Sequence, residues 1–144
     1  MSQEPVDVVR AHLEAFRSLD AERTLSFLDP HVVLDLSRTG GDEEAIHGRE
    51  EIGVFMRRWI GTFEEYRYEV ERLADLGFGV IVVAAGETGR GKGSGAPVDR
   101  SFGVIYTVID GKIARITSYF AAPFEAPAWR APYVEKAPAE ARSR

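Results

Sequence analysis

The sequence predicts an α+β domain, a cone-shaped barrel in which a curved antiparallel sheet wraps around N-terminal helices. Three observations carry this. Apolar residues recur at helical spacing through most of the first half of the chain. They alternate at strand spacing through the second half. Asp110-Gly111 then joins two alternating segments as a two-residue hairpin turn. Helices gathered on one side of an antiparallel meander form a two-layer domain with one core. The 144 residues suit one such domain.

Val6, Val9, Leu13, Phe16 and Leu19 set a 3.6-residue rhythm, which predicts a first helix over 6–19. Asp20 suits the N-cap of a short second helix running through Leu25 and Leu28. Asp29-Pro30 stops it, because the residue before a proline is pushed out of helical geometry. Residues 32–36 read as a short strand, and Thr39-Gly40-Gly41-Asp42 as a loop. Gly48 opens a third helix with Ile52, Phe55, Met56, Trp59 and Phe63 on one face. Four strands follow, over 66–71, 79–88, 100–109 and 113–120. The third should turn Arg100, Phe102, Val104, Tyr106 and Val108 to the core. After Phe120 the composition shifts to proline and alanine, so 1–122 reads as the domain and 123–144 as a tail. Phe124, Trp129 and Tyr133 could pin that tail to its own domain or to a partner subunit.

Composition excludes several functions. The chain has no cysteine, so it offers no disulfide, thiol nucleophile or thiolate-bound zinc. Its three histidines are scattered, and no metal site or cofactor is expected. A net charge of −5 opposes nucleic-acid binding, which needs a basic face. No apolar stretch approaches a membrane span, and the acidic N-terminus is unlike a secretory signal, so a cytoplasmic location is expected. Gly86, Gly91 and Lys92 imitate a phosphate loop. However, Gly93 stands where Ser or Thr is required, and a strand follows instead of a helix.

The residues offer three candidates for chemistry. His12 shares a helix face with Val9 and Phe16, and an imidazole there can act as acid or base near neutral pH. The plainer reading is a helix histidine satisfied by a hydrogen bond. Asp35 could be a base only if a register shift re-aims it, since plain alternation points it outward. Glu87 is the lone charge in an apolar strand, and Arg100 is its expected cross-strand partner. Such a pair would bind a polar substrate group at the pocket mouth or simply close the sheet rim. Phe16, Phe55, Trp59, Phe63, Tyr68, Tyr106 and Phe120 should line an apolar pocket that takes a small ligand. The central strands are apolar on both faces, which predicts a homodimer through the outer sheet face.

The chain also resembles a known family. Val8-Val9-Arg10-Ala11-His12-Leu13-Glu14-Ala15-Phe16 with Asp20, Leu28-Asp29-Pro30-His31-Val32, His47-Gly48-Arg49-Glu50-Glu51-Ile52 with Phe55, and Asp110-Gly111-Lys112-Ile113 leading to Tyr119-Phe120 resemble the SnoaL-like branch of the nuclear transport factor 2-like superfamily. The likeness covers 6–122. It implies the cone fold, in a superfamily of isomerases, cyclases, epoxide hydrolases and binding proteins. The ketosteroid isomerase pattern would place its tyrosine on His12, its base on Leu36 beside Asp35, and its late acid on Val104. The epoxide hydrolase constellation falls on Glu87, Ala85 and Ser118, and the cyclase aspartate on Ser118. None of these sets is complete. The resemblance therefore leaves two functions open: an acid–base isomerase, cyclase or hydrolase using His12 with Asp35 or Glu87, and a non-catalytic ligand-binding or dimerisation module.

Overall fold

A computed structural model describes residues 4–38 and 45–120. Helix α1 spans Pro5–Arg17, with proline at its start, Asp7 in its first turn and Arg17 in its last, all favourable to the helix dipole. It buries Val8, Val9, His12 and Leu13. Leu19, expected on that helix, lies beyond it at φ 58° and is 55% exposed. Helix α2 spans Ala21–Ser26, capped by the Asp20 carboxylate accepting from the Arg23 N–H at 3.1 Å. It ends before Leu28, which already belongs to strand β1, Leu28–Arg38. The helix has already ended at Ser26 when Asp29-Pro30 arrives; proline suits the extended backbone of β1, and the register shift between Leu28 and Val33 spans it.

Strand β2, Ala45–His47, is too short to show in the sequence pattern. Helix α3 spans Arg49–Ile60, with Gly48 at φ 94° as its N-cap. The Thr62 hydroxyl donates to the Trp59 carbonyl at 2.6 Å and helps close the helix there. Phe63, expected on the helix face, instead opens strand β3, Phe63–Gly77. Strands β4, Val80–Gly91, β5, Pro97–Ile109, and β6, Lys112–Phe120, complete the meander. Asp110 and Gly111 both adopt positive φ, as their two-residue hairpin requires.

The sheet order is β2-β1-β6-β5-β4-β3. Its pairings are antiparallel except one: β1 and β6 run parallel. The four-strand meander is antiparallel as expected, and the parallel β1–β6 pairing is the one departure. No short turn joins these two strands, since α3 and three other strands of the meander separate them, so no hairpin dictates their direction. Register shifts in β1, β3 and at the β5–β6 pairing bend the sheet around the helices. This is the mixed α+β cone. Its core packs Val8, Val9 and Leu13 of α1 and Ile52 of α3 against Ile81, Val83, Tyr106, Ile113 and Ile116. Among the described residues, no helix is long and apolar enough to cross a membrane. The tail at 123–144, with Phe124, Trp129 and Tyr133, lies outside the described residues.

Candidate active site

Strand register decides what faces the helices. Leu34, Ile116, Tyr106 and Ile81 form one row across β1, β6, β5 and β4. A further row holds Tyr68, Glu87 and Arg100 across β3, β4 and β5. Side chains in these rows share the inner face, because a strand alternates with period two. All of them but Ile81, with the facing residues of α1 and α3, line a cavity of about 540 Å³. Its walls include Leu13, Phe16, Phe55, Met56, Trp59, Phe102 and Val104, with His12, Glu87, Arg58 and Arg100 as the ionisable groups besides tyrosine.

Glu87 is 4% exposed, yet its charge is well served. Its Oε2 accepts from the Tyr66 hydroxyl at 2.7 Å and from Trp59 Nε1–H at 3.1 Å. Both bonds reach the same oxygen, Oε2. Arg100 lies directly across the strand pair, and its guanidinium sits 5.2 Å from the Trp59 ring centroid. The expected Glu87–Arg100 neighbourhood is therefore present, with Tyr66 and Trp59 as the hydrogen-bond donors to the carboxylate. Burial, then the adjacent Glu87 charge, pushes the Tyr66 phenol far above its usual range and keeps it a donor.

His12 is 2% exposed. Its Nδ1 lies 2.9 Å from the Thr24 carbonyl oxygen. A carbonyl only accepts, so Nδ1 carries the proton and Nε2 keeps a lone pair. Burial lowers the imidazole pKa to about 4, against a smaller upward pull from the Thr24 bond. His12 is thus neutral at physiological pH, donating from Nδ1 to Thr24 with the Nε2 lone pair able to accept. Its ring meets Tyr106 edge-on at 5.7 Å. Tyr106 and Tyr68 are hydrogen-bonded to each other, and burial raises both phenols well above their usual range.

Asp35 is not brought to this cavity. It sits in the row of Thr117, Ile105 and Val82, on the opposite face from Leu34. There it pairs with Arg115 at 2.7 Å and accepts from the Ser37 hydroxyl at 2.6 Å and the Ser37 N–H at 2.9 Å. The Ser37 bonds, then Arg115, hold its carboxyl below the usual range. The register shift between Asp35 and Arg38 comes too late to re-aim it. Phe63 is also displaced: it packs behind the wall, 5.3 Å from Trp59 and 5.4 Å from Tyr66 between ring centroids. Phe16, Phe55, Trp59, Tyr68, Arg100 and Tyr106 do line the cavity. The side chain of Phe120 lies outside the described residues. Tyr66 was missed as a Glu87 partner; the positive φ of Glu65 and the register shift beside it change the alternation there. Among the described residues, no cluster of three His, Asp or Glu could hold a metal ion.

A cone of this topology, closed by helices over an apolar cavity with a few buried polar groups, defines a class of small α+β proteins by its fold. Within that class the chain belongs to the SnoaL-like domain family, whose model matches residues 9–116. No curated protein matches the sequence. Solved structures do. A protein of ketosteroid isomerase-like fold from Catenulispora acidiphila, in complex with trimethylamine, is 16% identical with a TM-score of 0.66, over 83% of this chain and 86% of that one. TerC, co-crystallised with polyporic acid, is 22% identical with a TM-score of 0.70, over 83% and 93%. An LEH-like epoxide hydrolase from M. tuberculosis is 19% identical with a TM-score of 0.65, over 82% and 83%. At these identities the likeness is one of fold.

Proposed function

We propose that this protein binds a small, mostly apolar molecule in the cone cavity and moves a proton on it, with Glu87 as the base. The observation that supports this most is the Glu87 carboxylate: buried, lining the cavity, and held at Oε2 by Tyr66 and Trp59. Arg100 stands across from it as a cation able to stabilise negative charge developing on the substrate. Isomerisation, cyclisation and hydration are reactions of this kind. The bond to Thr24 and the lowered pKa of His12 favour a second reading, a non-catalytic ligand-binding module, because they withdraw His12 as an acid and leave Glu87 without a second acid–base partner among the described lining residues apart from tyrosine.

Two probes separate these readings. 2-Naphthol fluorescence reports binding, and deuterium uptake at the α-carbon of 2-tetralone in heavy water reports proton abstraction. The wild type should bind the first and accelerate the second, and Glu87→Gln should slow exchange by about 100-fold or more. Equal exchange by both proteins overturns Glu87 as the base. Binding without exchange leaves the module reading. We further propose a homodimer through the outer sheet face, where Val82 and Ile105 are register neighbours and Val80 and Ala84 flank Val82 on the same strand.

A further inference from the structure

Beside the main cavity lies a second one of about 240 Å³, between the α1–α2 junction and α3. Ligand pockets for whole molecules run to about 300–1,000 Å³. The main cavity falls within that range and this annex below it, so the annex suits a part of a ligand. Phe16 and Met56 line both spaces and form the partition between them. Both are only partly buried. Methionine is unbranched and adaptable, so Met56 can move aside with little cost.

The annex is walled mainly by apolar side chains, with Arg57 and Thr24 as its polar ones. Phe16, Leu19, Leu25, Met56 and Ile60 supply its apolar wall. The hydroxyl of Thr24 already donates to the Asp20 carbonyl at 2.6 Å. Leu19 is the informative member. It is held at φ 58°, a strained backbone for leucine, and leaves a large apolar side chain 55% exposed at the rim. A hydrocarbon chain lying in the annex would cover it. From the aromatic lining of the main cavity, the shared partition, the small volume of the annex and this exposed rim, we infer that the ligand carries a ring system for the main cavity and a flexible alkyl branch that passes Met56 into the annex. This deepens the reading of the main cavity as a ligand site and rests on it.

The test is a series of 4-alkylphenols, ethyl to octyl, competing with 2-naphthol. In the wild type, affinity should rise about threefold to fourfold per added methylene until the annex is full. Ala21 is exposed and lines only the annex, so Ala21→Trp should obstruct it. That variant should bind 2-naphthol as the wild type does and lose the chain-length gain. Equal gains in both proteins overturn the annex while leaving the main cavity standing. Failure of the wild type to bind 2-naphthol overturns the cavity reading itself. Should Ala21→Trp lose 2-naphthol too, an alkylphenol ending in a photoreactive diazirine decides on the wild type. Label on residues 18–23 or Ile60 supports the annex. Label confined to Arg58 and Thr62, the exposed residues of the main cavity, overturns it.

Discussion

Acidification should weaken this protein through His12 in a defined window. The buried imidazole has its pKa lowered from 6.5 to about 4, with burial as the main cause. The unfolded chain therefore takes up a proton below pH 6.5, while the folded protein resists until about pH 4. Between those limits the unfolded state holds more protons, so stability rises with pH there and is lost as pH falls. At about 1.4 kcal/mol per tenfold, the gap amounts to about 3 kcal/mol. Tyr106 is the titratable group against the ring, and its raised phenol stays neutral throughout this range. The Thr24 carbonyl needs a donor at every pH, which the side-chain amide of His12→Gln can supply.

The assay is urea unfolding of the wild type and His12→Gln at intervals from neutral pH to pH 4. Carboxylates titrate in both proteins, so the difference between the two curves isolates the imidazole. The stability of the wild type relative to the variant should fall by about 3 kcal/mol across that interval. A difference that stays flat means the imidazole titrates as it would in water, and the burial argument fails with it. Retained 2-naphthol affinity in the variant would further assign His12 to structure and not to the ligand.

Two other expectations concern the sheet. Gly79, at φ 78°, would drive an added Cβ into the Val108 carbonyl oxygen, so Gly79→Ala should cost more than about 2 kcal/mol by urea unfolding. Gly93, at φ 85° with open space around it, should cost less on the same change, and equal losses would refute the contact argument. Light scattering at micromolar concentration should give twice the 16.0 kDa chain mass, falling toward one chain in Ile105→Glu; a monomer mass for the wild type removes the proposed dimer.

Much of the fold was legible because local rules and tertiary packing agree. The heptad-like spacing of Val9, Leu13 and Phe16, the Asp20 cap and the Asp110-Gly111 turn each fix a local geometry without reference to distant residues. The bulky face of β5 was legible too, since Val104 and Tyr106 are buried where alternation puts them. Phe63 was misplaced because helical periodicity continues past Ile60, while the turn at Gly61 and Thr62 redirects the chain into β3. The parallel pairing of β1 with β6 carries no local signal, because the partners are far apart in sequence and no turn connects them.

The same division runs through the site. Composition and patterning by themselves determined that Glu87 would be a costly buried charge and that His12 would face inward. Which groups satisfy them was decided only by the tertiary structure. Tyr66 and Trp59 reach Glu87 from a bulged strand and from the end of α3, and the Thr24 carbonyl meets His12 from a separate helix. Asp35 was settled in the same way, by the row of residues it joins on the outer face. A single strand's alternation defines two faces, but which face becomes the cavity depends on where the helices pack.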